Sequence, residues 1–191
     1  MTTPSLAQTL WRTDQSSLLR SIILVVFGTL LLWVSAKIKV PFYPVQQTMQ
    51  TFVVLMIAAV YGWRLGVITI LAYLAEGAAG LPVFSGTPER GIGIAYMVGP
   101  TAGYLVGFVV ATLTVGFLAQ RGWDRSIWRT AVMTAIGHCI IYAFGLLWLG
   151  TLIGWDKPVL ELGMYPFLLG DVVKVALATA LLPLAWHYIR R

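Results

Sequence analysis

Near the C-terminus the chain reads PFLLGDVVKVALATALLPLA, an apolar run interrupted by two ionisable residues, Asp171 and Lys174. A charge at the centre of a bilayer costs roughly 2.5–3.5 kcal/mol even on the lenient insertion scale, so two of them need partners. Three residues along an α-helix turn through about 300° and rise about 4.5 Å, which puts both side chains on one face. The carboxylate accepts hydrogen bonds and the ammonium donates them. Together they can neutralise each other within the helix, or they can face a cavity and hold a polar ligand, as ionisable residues in membrane segments tend to do.

Other chemistries find little support. Ser85 and His138 are the pair that could serve an intramembrane serine hydrolase, but no GxSxG elbow presents the serine. His138, in AIGHCIIY, is expected to hydrogen-bond a neighbouring helix, and His187 to sit at the end of the last helix. HExxH spacing is missing, and the single cysteine, Cys139, excludes a disulfide framework, so neither a metal nor a cofactor is expected. No GxxxxGK[ST] phosphate loop occurs, so ATP is not hydrolysed by that route.

Two loops add polar groups. In KIKVPFYPVQQTMQT, Pro41 and Pro44 prevent a regular helix, and Gln46, Gln47, Thr48, Gln50 and Thr51 supply neutral donors and acceptors suited to an uncharged ring. The longer loop LPVFSGTPERGIGIAYMVGP, rich in glycine and aromatics and carrying Glu89 and Arg90, reads as a cover over the mouth of a site.

The elements that position these residues follow from composition. The chain has 191 residues, 59% hydrophobic and only 10% charged. A soluble domain carries about 25% charged residues, so this is a polytopic membrane protein, read as a single compact all-α bundle. Apolar runs give six spans, at about 18–36, 49–62, 64–80, 100–120, 128–149 and 166–188. The second is short for a bilayer and is expected to borrow from the preceding loop or to tilt.

With both termini in the cytoplasm, that side holds Arg12, Arg20, Arg64, Arg121, Arg125, Arg129, Arg190 and Arg191, against Lys37, Lys39, Arg90 and Lys157 outside. Lysine and arginine are retained on the cytoplasmic side, so this asymmetry sets the orientation. It also accounts for the +6 net charge without nucleic acid, since the basic residues are scattered over loops. Arg12, Arg20 and the run SIILVVFGTLLLWV resemble a signal peptide, but cleavage would spoil the charge asymmetry, and the segment is read as the first span. Small residues at Gly99, Gly103 and Gly107, and at Ala131, Ala135, Cys139 and Ala143, mark expected helix-packing seams.

Four segments in order, PFYPVQQTMQTF, AAGLPVFSG, GPTAGYLVGF and PFLLGDVVK, resemble the BioY family, the biotin-binding S-components of energy-coupling factor (ECF) vitamin transporters. Gln46 stands where that family often has proline, and Ala102 where it often has glycine. The resemblance implies capture of biotin from outside and its delivery with a transmembrane coupling subunit and two ATPase subunits, in a bacterial cytoplasmic membrane. It implies Asp171 and Lys174 as the main biotin ligands, Thr48 and Gln50 as further hydrogen-bonding groups, Tyr104 and Phe84 as walls, and Arg90 as a carboxylate partner. Against it stand a proton-coupled carrier working alone, with Asp171 as the proton site, and a membrane scaffold without a small ligand.

Overall fold

The computed structural model describes residues 4–10, 17–40, 45 and 47–189. Pro41, Pro44, Gln46, Arg12, Arg190 and Arg191 lie outside the described residues.

A short helix α1 (Leu6–Leu10) precedes α2 (Ser17–Lys37), whose sequence SLLRSIILVVFGTLLLWVSAK is apolar all round. Such a helix must be covered on every side by protein or lipid. The protein covers one stripe, burying Thr29, Leu32, Ser35 and Ala36, and leaves Ile22, Val26, Phe27 and Leu30 exposed, as expected for a lipid-facing surface. Past α2, strand β1 (Lys39–Val40) pairs antiparallel with β2 (Gln47–Thr48), Lys39 opposite Thr48 and Val40 opposite Gln47. This two-residue ladder anchors the end of the first polar loop beside α3 (Gln50–Ala78).

Helix α3 is interrupted at Gly62, where φ is 77° and ψ is 174°. That backbone region is essentially open to glycine alone. The chain folds back there. The side-chain amide of Gln50 donates to the Tyr73 hydroxyl at 2.8 Å, whereas 23 residues of straight helix would separate them by about 35 Å. Gly66 likewise lies against Ala58. α3 is therefore a hairpin with arms 50–61 and 63–78, and its turn is packed against Gln120, the residue that ends the next long helix.

A short helix α4 (Gly93–Met97) leads into α5 (Ala102–Ala119), which packs on both α3 and α6 (Ile127–Ile153). The close approach answers the first expected seam: a β-carbon at Gly107 would lie 2.9 Å from Ile141 Cα, and one at Gly103 would meet Phe144 and Trp148. Gly99 meets the same helix through its backbone: a β-carbon there would lie near the Tyr96 carbonyl, while the Gly99 carbonyl accepts from the Trp148 indole N–H at 2.9 Å. The second expected seam is corrected. Ala135, Cys139 and Ala143 face outward, and α6 packs instead through Thr134, Gly137, Ile141 and Gly145, about one third of a turn away. Helix α7 (Val159–Gly163) and a 3-10 turn at Tyr165–Phe167 connect to α8 (Leu168–Ile189), which packs on α6.

Among the described residues, five helical segments are long and apolar enough to cross a membrane: Leu18–Lys37, Gln50–Ala78, Ala102–Ala119, Ile127–Ile153 and Val159–Ile189. The difference from the six expected spans lies in α3, which holds both the second and the third as one apolar segment broken at Gly62. At the end of the bundle away from Asp171, Asp124 is buried and accepts from the Trp186 indole at 2.5 Å, while Arg125 lies over the same ring at 4.4 Å. This ties the loop before α6 to the end of α8.

Candidate functional site

Asp171 and Lys174 occupy the first two turns of α8 and are both buried, at 7% and 4% exposure. Lys174 Nζ donates to Asp171 Oδ1 at 2.9 Å, so the i, i+3 spacing does form a contact pair. Neither residue depends on the other alone. Lys174 Nζ also donates to Thr51 Oγ1 on the first arm of α3 at 2.8 Å, and the Tyr142 hydroxyl on α6 donates to Asp171 Oδ2. The carboxylate further benefits from the positive N-terminal end of α8, an effect of about 0.3–1 kcal/mol.

These groups border a cavity with about 70 Å³ of free interior, enclosed between α3, α5, α6 and α8. Its wall includes Thr48, Gln50, Thr51, Tyr104, His138, Tyr142, Asp171 and Lys174, with Leu105, Phe108, Ile141 and Phe167 as apolar surface. A mostly apolar cavity with a few convergent polar groups is the usual form of a small-molecule site.

The residues singled out from the sequence fall into three groups. Asp171, Lys174, Thr48, Gln50 and Tyr104 are brought together on the cavity wall. Three of them are also structural. Thr48 Oγ1 accepts from the Gln50 backbone N–H at 3.2 Å, the Gln50 amide is bound to Tyr73, and the Tyr104 hydroxyl donates to the Gly163 carbonyl at 2.7 Å. Phe84 is not brought to the cavity: it is 1% exposed, stacked on Tyr96 with ring centroids 4.8 Å apart, and it backs Tyr96, which does line the cavity. Arg90 is exposed and is likewise not among the lining residues; its charge is felt at Tyr96, which does line the cavity.

The second polar loop contributes to the cavity wall. Ser85 and Tyr96 line the cavity from it, and Lys37 at the end of α2 holds it by donating to the carbonyls of Phe84 and Thr87 and to Thr87 Oγ1, each at 3.1 Å. Burial, opposed by a hydrogen bond with Thr101 and by Arg90, raises the Tyr96 phenol above its ordinary value. Tyr96 therefore keeps its proton at neutral pH and can act as a donor.

Sequence reasoning missed Tyr142 and misjudged His138. The two are four residues apart, so a helical wheel places them on one face. His138 does not bond a neighbouring helix: its Nδ1 contacts the Thr134 carbonyl of its own helix at 3.0 Å, while Nε2 lies 3.6 Å from Asp171 Oδ1. Nε2 has no hydrogen-bond partner among the described residues, so the Ser–His bond that a serine hydrolase needs is not formed.

Known proteins resemble the chain in both sequence and fold. A profile of the BioY family matches residues 6–191. The chain is 39% identical over 145 residues to the probable biotin transporter BioY of Pyrococcus horikoshii, covering 76% of this chain and 83% of that protein. It is 33% identical over 150 residues to the biotin transporter BioY of Thermotoga maritima, covering 78% and 86%. Its fold matches the crystal structure of an S-component for biotin from an ECF-type ABC transporter, with a TM-score of 0.68, 22% identity, and coverage of 94% of this chain and 93% of that one.

Proposed function

The chain belongs to the BioY family, and on that premise we propose that it takes up biotin as the substrate-binding component of an ECF-type transporter. It is a transport protein and not an enzyme, in keeping with its relatives.

One observation carries the reading to a site: the buried Asp171–Lys174 pair borders a cavity instead of being sealed by protein. Biotin offers a ureido ring with two N–H donors and one carbonyl acceptor, a thioether ring, and an aliphatic tail ending in a carboxylate. Asp171 accepts a ureido N–H, and Lys174, which has one N–H left after Asp171 and Thr51, donates to the ureido carbonyl. Tyr104, Phe108 and Ile141 supply apolar wall to the thioether ring and tail. The polar groups of the protein are thus matched to polar groups of the ligand, which offsets the cost of burying them. The site needs no cofactor.

The same reading gives the chain six crossings with both termini in the cytoplasm. The Gly62 hairpin supports it, since the fold-back turns one apolar segment into two arms of about 18 and 24 Å. Arg20 and Arg64 share one surface hollow with Gln120 at the hairpin turn, while Lys37 holds the cover loop at the opposite end. That distribution favours a cytoplasmic hairpin turn and an external cavity, in the cytoplasmic membrane. Delivery then rests on a coupling subunit and two ATPases, because the chain has no nucleotide-binding loop of its own.

Uptake of labelled biotin by cells tests this. Uptake should require the chain together with the coupling subunit and ATPases, and should follow ATP. Uptake by the chain in cells lacking those partners, abolished by an ionophore, would favour a proton-coupled carrier instead.

A further inference from the structure

The end of the bundle away from Asp171 holds a second hollow, which the biotin site does not use. Its free interior is about 660 Å³, and it lies between α1, the first turns of α2, the α3 hairpin turn at 61–65 and the last turn of α5. Three of these are ends or turns of the long apolar segments, so the hollow sits at the depth of lipid headgroups.

Its wall is rich in donors and positive charge. Arg20 and Arg64 line it, and a third guanidinium, that of Arg121, lies 4.1 Å from the centre of the Phe117 ring in the same wall. Among the described residues no carboxylate lines the hollow, and Arg64 has no ion-pair partner. The Arg64 guanidinium instead lies over the Trp63 ring, 5.0 Å from its centre. Tyr61 also lines the hollow; it is 7% exposed, and its hydroxyl has no hydrogen-bond partner among the described residues. A buried hydroxyl is costly unless a ligand or water completes it. Guanidinium forks and a phenolic O–H converging without a carboxylate suit an anion that only accepts, above all a phosphate.

The apolar surface beside the arginines favours a lipid phosphate over a free one. Leu24 lines the hollow, and the same edge of α2 continues with Phe27 and Leu31, 54% and 39% exposed, at helical spacing. That edge leads from the hollow along the lipid-facing surface, as an acyl chain does below its headgroup. A zwitterionic headgroup would bring a quaternary ammonium among three guanidiniums, so a headgroup of net negative charge is preferred.

We infer that this hollow is a binding site for an anionic phospholipid, its phosphate held by Arg20, Arg64 and the Tyr61 hydroxyl and one acyl chain lying on Leu24, Phe27 and Leu31. With six crossings and cytoplasmic termini the site faces the cytoplasmic leaflet, the side on which basic pockets between membrane helices take anionic headgroups. It stands apart from the biotin reading.

The test is native mass spectrometry of the purified full chain, released from detergent carrying dioleoyl phosphatidylglycerol and dioleoyl phosphatidylcholine in equal amounts, with each lipid also titrated alone. Phosphatidylglycerol should bind at least about tenfold more tightly than phosphatidylcholine, and its affinity should fall about tenfold in Arg64→Gln and about threefold in Tyr61→Phe. Arg129→Gln removes an exposed arginine at the same end but outside the hollow and should change nothing. Equal binding of the two lipids, or equal losses in Arg64→Gln and Arg129→Gln, would mean diffuse attraction to a basic surface and overturns the site. Inorganic phosphate and glycerol phosphate serve as competitors: displacement of phosphatidylglycerol by either at a concentration equal to the lipid identifies a free anion as the occupant and overturns the lipid assignment. Biotin affinity read on the same samples should be the same in Arg64→Gln as in wild type, so that failure of the lipid site and failure of the biotin site are seen separately.

Discussion

Lys174 on α8 donates to Thr51 on the first arm of α3 at 2.8 Å, which ties two elements 123 residues apart in sequence through the same ammonium that pairs with Asp171. Replacing Thr51 by valine keeps the shape and removes the acceptor. A buried N–H left unpaired costs about 1–3 kcal/mol, so Thr51→Val should lower biotin affinity roughly tenfold or unfold earlier on heating, and Thr51→Ser should restore both. Fluorescence or calorimetric titration, with a melting curve alongside, reads the two effects.

The Gln50 amide, the Tyr73 hydroxyl and the Val83 carbonyl form one chain of hydrogen bonds at 2.8 and 2.9 Å, joining the two arms of α3 to the cover loop. Tyr73→Phe breaks both links and should cost about 1–2 kcal/mol of stability. Gln50→Leu in addition should cost less than it does alone, because the shared bond is already gone. Thermal unfolding of the two single variants and the double variant in detergent measures this; strictly additive losses would mean that the three groups do not act as a unit.

Gly62 carries the hairpin. An alanine there faces a backbone region that side chains avoid, and its β-carbon would lie 2.8 Å from Gln120 Nε2. Gly62→Ala should destabilise the protein by roughly 1–3 kcal/mol and reduce the yield of folded protein. If Gly62→Ala expressed and melted as wild type does, the fold-back geometry would be contradicted.

The sequence made Asp171 and Lys174 legible because they break an apolar run, and nothing but a cavity or a partner explains such a break. The helices were legible for the same reason in reverse, as long apolar runs. Tyr142 was not, because a tyrosine in a membrane helix needs no explanation until its hydroxyl is seen to reach Asp171. Phe84 and Arg90 show the limit for loops: composition marked 81–100 as a cover, but which side chain turns inward depends on the fold of the loop, and there Tyr96 lies on the cavity with Phe84 stacked behind it. The Ala131, Ala135, Cys139 and Ala143 stripe misled because α6 carries small residues on two faces, and only the one with Gly137 and Gly145 meets protein. The break in α3 was legible in the boundary between 49–62 and 64–80, yet not as a turn at one glycine.

Lys37 clamps the cover loop through three contacts at 3.1 Å. Lys37→Met keeps the stem and removes the donors. Biotin should then leave several-fold faster, with a smaller change in its association rate, because affinity differences within one site are expressed mainly in dissociation. Stopped-flow displacement provides the rate, and faster amide exchange over 84–91 should accompany it.

The central claim is that a buried carboxylate–ammonium pair on α8 receives the polar ring of biotin. Its most direct measurement is the equilibrium affinity of the purified chain for biotin, with thiamine and riboflavin as controls, repeated for Asp171→Asn and Lys174→Ala. The account expects tight, selective binding of biotin, weakened at least about tenfold by either substitution while the protein stays folded and monodisperse. Unchanged affinity in both variants, or no binding by the folded wild-type chain, would contradict it.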